Sequence, residues 1–263
     1  MTETADPPAP PPRPVFCRRC GTTLDPAAAK CGCSVKPALP VDTSGDSGPS
    51  MRSALSLYFS LLTLSGVAII YAQARGPRSS GAEFDIGLSV AFAVAVLPWA
   101  LVYARPVTRL LRPRGAILWY GVALLAPLVT FARATATLWF FSVTVSLPIL
   151  DETADYRRDG FGFGWVVFAT CVIPGIFEEI AFRGVIYDGL SRHLTTVETV
   201  LVSAAMFGIL HLSILSLPHL LLIGLALGVL RAKTGSLVAG MVMHFLHNLI
   251  VCSTDWWKSG SSW

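Results

Sequence analysis

The sequence predicts an all-α, polytopic transmembrane bundle of about seven spans, preceded by a small N-terminal cysteine unit. Three observations predict it. Of 263 residues, 53% are hydrophobic and only 14% are charged, whereas a soluble domain usually has about a quarter of its residues charged. Mean hydropathy is +0.61. The remaining cations collect at the borders of apolar runs, as they do in the loops of membrane proteins. The net charge of +4 therefore reads as a topology signal, and no nucleic-acid partner is expected. The first fifty residues hold no apolar h-region, so no cleaved leader is expected either.

Residues 1–14 are proline-rich and should be extended or disordered. Residues 15–36 form a cysteine unit with Cys17, Cys20, Cys31 and Cys33. The string Phe16-Cys17-x-x-Cys20-Gly21-x-x-Leu24 resembles the first knuckle of a zinc ribbon. The second pair departs from that pattern, being Cys-x-Cys in place of Cys-x-x-Cys. The resemblance implies a structural zinc on four thiolates, which can serve as the whole core of so small a unit. A disulfide is the alternative, disfavoured if the unit faces a reducing cytosol. Such a ribbon could also recruit a protein partner. Residues 37–51 read as a flexible linker of Pro, Gly, Ser and Asp.

The bundle should occupy residues 52–256. A helix needs about 20 apolar residues to span the hydrocarbon core. The candidate spans are Ser53–Ala72, Phe84–Tyr103, Ala116 to about Ile149, Trp165–Leu190, Thr196–His211, His219–Leu230 and Ser236–Cys252. The third is too long for one simple span, yet it has no turn chemistry. It reads as one helix that projects from the bilayer, or as a span with an interfacial extension. Cys171 and Cys252 lie inside apolar runs and act there as small hydrophobic residues.

Counting cations gives an orientation. With the N-terminus inside, Arg52, Arg105, Arg109, Arg112, Arg114, Arg192, Arg231 and Lys233 fall on the inner side. Arg75, Arg78, Arg157, Arg158 and Lys258 fall outside. That bias favours a multi-pass protein of the cell membrane with a cytoplasmic N-terminus.

Charged groups within spans are costly and usually functional. The fourth span carries Glu178, Glu179 and Arg183, the fifth ends in Phe207-Gly-Ile-Leu-His211, and the seventh carries His244 and Asn248. Glu179 and Arg183 are four apart and share a helix face. Glu178 points elsewhere, so one glutamate can be held in an ion pair while the other faces a cavity. At 1.5 Å per residue, Glu178, His211, His244 and Asn248 stand ~18, ~22, ~12 and ~18 Å from the inner helix ends, at overlapping depths. Pro174 removes a backbone hydrogen bond just before the glutamates, so a wet cavity there is reasonable.

The order Glu-Glu-x-x-x-Arg, Phe-x-x-x-His, His-x-x-x-Asn on successive apolar helices resembles the CPBP family, which includes the type II CAAX prenyl endopeptidases and the Abi proteins. The resemblance covers about residues 165–252 and includes Phe182-Arg183-Gly184 and the turn after Arg231. It implies an intramembrane endopeptidase in which Glu178 and His211 activate a water, His244 and Asn248 donate to the oxyanion, and Glu179 and Arg183 organise the site. The implied substrate is a membrane-bound or lipidated peptide or protein, reached from membrane lipid. Catalytic zinc on Glu178, His211 and His244 is the alternative. The metal-free mechanism is preferred, because the chain has no H-E-x-x-H and Asn248 is a poor zinc ligand.

Plainer readings compete. His193 reads as a solvated helix cap, His219 as an interfacial anchor, and His247 as lying off the site. Trp256, Trp257 and Trp263 read as an interfacial belt. The polar set could merely tie helices together. A proton or ion relay is another reading, weakened by the lack of inverted repeats. The rival from a different class is a non-catalytic membrane scaffold or bacteriocin-immunity-type protein that uses the same cavity to bind a partner.

Overall fold

A computed structural model describes residues 15–16, 23–24, 48–76, 81–145, 151 and 153–260. The chain divides into two compact units, Met1–Thr43 and Ser44–Trp263. In the first, β1 (Val15–Phe16) and β2 (Thr23–Leu24) pair antiparallel, with Val15 opposite Leu24. In sequence these strands flank Cys17 and Cys20. All four cysteines of the expected ribbon, the proline-rich residues 1–14 and residues 37–47 of the linker lie outside the described residues.

The second unit is helical. The helix α1 (Met51–Arg75) starts at Ser50, whose hydroxyl accepts the Ser53 N–H at 3.2 Å. The next, α2 (Ala82–Val102), starts at Gly81, which brings no cap of its own. A distant carboxylate takes over, since Asp159 Oδ2 accepts the Ala82 N–H at 2.9 Å. The short α3 (Ala104–Leu110) leads to α4 (Ile117–Val145). The long third apolar segment is thus one continuous helix from Ile117 to Val145, Pro127 included, and its residues 146–149 lie outside the described residues. After α5 (Ala154–Arg158), one helix runs through Phe163–Ser191. It begins as α6 (Phe163–Val166) and ends as α7 (Tyr187–Ser191), with π-helical segments at Val167–Val172, Pro174–Glu178 and Ile180–Ile186. The helices α8 (Thr196–Leu210), α9 (Leu217–Thr234) and α10 (Val238–Gly260) complete the bundle.

Each of the seven apolar segments is mainly helical over its described residues. By length and composition, five helices among the described residues can cross a bilayer: α1, α2, α4, Phe163–Ser191 and α9. The helix α8 is apolar but has only 15 residues. Side chains such as Ile70, Val102, Ile117 and Leu125 are exposed on the outside of the bundle, as expected where the solvent is lipid. The chain is a multi-pass membrane protein.

The Phe163–Ser191 helix is central, and every residue from Glu179 to Tyr187 is buried. Close approach between α8 and α9 depends on small residues. A Cβ on Gly224 would stand 3.0 Å from Ala204 Cα, and one on Gly228 would stand 3.1 Å from Val200 Cγ1. This is the small-x-x-x-small packing of membrane helices, in which dispersion replaces the hydrophobic effect. The packing sets Arg183, on the central helix, beside the backbone of α9.

Candidate active site

The site is built around a disturbed helix. Pro174 has no N–H, so it cannot make the α-helical bond to the carbonyl of Thr170, four residues earlier. Asn248 of α10 donates its Nδ2–H to that carbonyl at 2.7 Å. The π-helical turns on either side of Pro174 shift the register of the chain that follows, a distortion often found at functional sites.

The two glutamates then part company. Glu179 is fully buried, and its Oε1 accepts from Arg183 Nη1 at 3.1 Å. Arg183, 1% exposed, also donates Nη2–H to the Gly224 carbonyl at 3.2 Å. Its guanidinium lies 4.6 Å from the centre of the Phe207 ring. Pairing, hydrogen bonding and the ring face together offset the desolvation of a buried charge pair. His244 completes the cluster, with Nδ1 3.1 Å from Glu179 Oε1. A carboxylate only accepts, so Nδ1 carries the proton of that bond. His244 Nε2 faces Glu178 Oε2 at 3.9 Å, beyond hydrogen-bonding reach.

Glu178 instead lines a cavity of about 310 Å³ together with His211. His211 sits at the C-terminal end of α8, where its Nδ1 bonds the Phe207 carbonyl at 2.9 Å. The carbonyl can only accept, so in the neutral ring the lone pair is left on Nε2. Phe207, 1% exposed, is the hub of the arrangement. Its ring centroid is 5.0 Å from that of His211, 5.8 Å from that of His244 and 5.2 Å from that of Phe182.

The structure thus gathers Glu179, Arg183 and His244 in one buried cluster, and Glu178 and His211 around one cavity beside it. Asn248 faces Thr170 and is not among the cavity-lining residues. His247 lies apart, bonded through Nδ1 to Thr130 Oγ1 of α4 at 2.9 Å. Trp256 stacks under the Arg157 guanidinium at 5.1 Å. Among the described residues no group of three or more His, Cys, Asp and Glu side chains is placed to hold a metal ion.

Several partners escaped the sequence. Gly224 acts through its carbonyl and Thr170 through a carbonyl that Pro174 leaves open. Arg231 braces the central helix, with Nε–H donating to the Arg183 carbonyl at 2.9 Å and Nη2–H to Asp188 Oδ1 at 2.7 Å. In the sequence Arg231 counted as a loop cation and as the start of a turn that carries the resemblance, with no partner assigned to it. Its place three residues before the helix-ending Thr234 was a faint signal of a side chain folding back on the bundle.

Residues 160–250 match the family model described as type II CAAX prenyl endopeptidase Rce1-like. The matched segment contains every residue of the cluster and both ionisable groups of the cavity. No curated protein and no solved structure matches the chain.

Proposed function

From the premise that residues 160–250 are an Rce1-like domain of the CPBP family, we propose that this chain is an intramembrane endopeptidase that cuts membrane-associated substrates with a water activated by Glu178 and His211. The observation that carries the reading is the pairing of Glu178 with His211 on one cavity, backed by a buried Glu179–Arg183–His244 cluster.

The steps balance without a metal. Water placed between Glu178 and His211 Nε2 gives a proton to the Glu178 carboxylate, and its oxygen bonds to the peptide carbonyl carbon. The oxyanion is met by donors from α10. Asn248 spends one amide proton on Thr170 and keeps a second. His244, whose Nδ1–H is held by Glu179, donates to the oxyanion from Nε2 in the doubly protonated form. Preorganised donors of this kind are usually the largest electrostatic contribution in acyl transfer. The C–N bond then breaks, and Glu178 returns its proton to the leaving amine. Glu179 and Arg183 touch no reacting atom and position the helix that carries Glu178.

The substrate in this reading is a membrane-bound or lipidated peptide or protein. The N-terminus lies in the cytoplasm of a cell whose surface membrane holds the bundle, and Cys17, Cys20, Cys31 and Cys33 bind a structural zinc in a module that recruits a partner.

The test uses the full chain in detergent and a quenched peptide library that includes lipid-anchored members. Glu178→Gln and His211→Ala should each lose on the order of 10²–10⁴ in rate, as removal of a general base does, and a chelator should leave cleavage intact. Full activity in Glu178→Gln refutes the mechanism. Tight peptide binding without cleavage by any form would support the partner-binding reading instead.

A further inference from the structure

An exposed turn rich in Arg and Pro is ordinarily mobile, yet the turn between α3 and α4 is pinned at three points. Leu110 ends α3, and its carbonyl accepts the Leu237 N–H at 2.8 Å and the Ser236 hydroxyl at 3.0 Å. Tyr120 of α4 reaches back to Arg114. Its hydroxyl accepts the Arg114 N–H at 2.9 Å and donates to the Arg114 carbonyl at 3.0 Å. Gly115 is left-handed, at φ +86°, and a Cβ there would stand 2.8 Å from Thr234 Cα and 3.3 Å from the Lys233 carbonyl oxygen. The turn after α3 is thus pressed against the turn after α9.

That contact gathers cations that lie far apart in sequence. Arg112 and Arg114 are exposed on the first turn, and Lys233 is exposed at the end of α9. Lys233 Nζ lies 5.7 Å from the centre of the Trp119 ring, which holds it beside the arginines. Among the described residues none of the three makes an ion pair. The described carboxylates at this end are engaged elsewhere, Asp188 with Arg231 at 2.7 Å and Glu198 in the N-terminal cap of α8. Like charges held together without a counter-charge repel one another. An anion at this spot removes that cost.

The neighbouring side chains decide which anion fits. Ile117 and Leu118 begin α4 just after the arginines and are 88% and 68% exposed. With the bundle in a bilayer these two meet acyl chains, while the arginines before them reach the headgroup layer. Trp119 stands at the boundary, where indole rings are favoured. A guanidinium grips phosphate through two parallel bonds, and an ammonium adds a point charge. Cations, an aromatic ring and open apolar side chains, in that order, match the profile of a phospholipid. A free phosphate would use only the first of them.

We propose that Arg112, Arg114 and Lys233 form a binding site for the phosphate headgroup of an anionic glycerophospholipid, whose acyl chains lie along Ile117 and Leu118. The site does not depend on the proposed peptidase chemistry, and its test needs no turnover.

The full chain is reconstituted in bilayers of dioleoylphosphatidylcholine with increasing amounts of dibrominated phosphatidylglycerol, and tryptophan quenching is measured. The Trp119 signal is the difference between each protein and its Trp119→Phe form. In the parent this signal should report phosphatidylglycerol bound more than about tenfold tighter than dibrominated phosphatidylcholine. Arg112→Gln, Arg114→Gln and Lys233→Gln should each lose about fivefold of that preference, the weight of one cation at an anionic membrane surface. Arg133→Gln removes the same charge from the exposed side of α4, away from the turn, and should keep the preference. Equal affinity for the two lipids in the parent would overturn the proposal. So would an equal loss in Arg133→Gln, which would reduce the effect to overall charge. Displacement of the lipid by soluble glycerol 3-phosphate would also overturn it, by assigning the cations to a free anion.

Discussion

A β-carbon on Gly240 would stand 2.6 Å from Oε2 of Glu179. The fully buried carboxylate of the central helix thus lies against the bare backbone of α10, and any side chain at Gly240 must push it away. Since Glu179 holds both Arg183 and His244, the displacement would pass to both. Gly240→Ala should leave helicity and monodispersity in detergent unchanged. It should reduce kcat by roughly a hundredfold, the cost of about 1 Å of misplacement at a reacting centre. Gly121→Ala, where nothing stands within 4 Å, is the control and should keep full activity. Equal kcat for the two variants would show that Glu179 does not position the site.

The buried ion pair makes a prediction of the opposite kind. Arg183→Met leaves the Glu179 carboxylate without its cation in a site where neither is more than 1% exposed. Breaking such a pair from one side typically costs about 3–5 kcal/mol, so Tm in detergent should fall steeply. The double variant Glu179→Leu/Arg183→Met removes both charges and should recover most of the lost stability while remaining inactive. A double variant as unstable as the single one would mean that Arg183 contributes mainly through the Gly224 carbonyl and the Phe207 ring.

Much of this was legible before any coordinates. The division of labour between Glu178 and Glu179 follows from four-residue spacing alone, because only Glu179 shares a face with Arg183. The meeting of His244 with the glutamates follows from depth. The rest was hidden for physical reasons. Backbone carbonyls, such as those of Gly224 and Thr170, have no letter in a sequence. A glycine such as Gly240 shows its role only when the neighbouring carboxylate is in view. The π-helical turns also rotate residues after Pro174 away from ideal helical bearings, so spacing arguments weaken where the chemistry lies. Asn248 on α10 shows the effect of the hidden carbonyls instead, since it is aimed at that of Thr170.

Asp159 offers a test at the membrane surface. Its carboxyl is held below the usual carboxylate range, chiefly by the hydrogen bond from Arg158 and then by the Ala82 N–H. A depressed folded value means that its contribution is present above the ordinary carboxylate pKa and is lost as pH falls through the folded value. The N-terminus of α2 should therefore be secured at neutral pH and loosen only in acid, below about pH 4. Asp159→Ala should lower Tm at pH 7 relative to the parent, and the difference should shrink on acidification below that range. A difference that stays constant with pH would assign the effect to packing instead of to the cap.

Asn248 separates two roles that a single variant would confuse. Its amide satisfies the Thr170 carbonyl that Pro174 leaves open, and it lies on the helix proposed to meet the oxyanion. Asn248→Leu orphans that carbonyl at about 1–3 kcal/mol, so lost activity alone would prove nothing. Pro174→Ala restores the N–H four residues after Thr170, giving the carbonyl a helical partner. In Asn248→Leu/Pro174→Ala, Tm should return toward that of Pro174→Ala alone, while kcat stays low. Recovery of both Tm and kcat would reduce Asn248 to a clip on the kinked helix and leave the oxyanion to His244. Recovery of neither would mean that the π-helical register after Pro174 survives without proline and that the carbonyl still depends on Asn248.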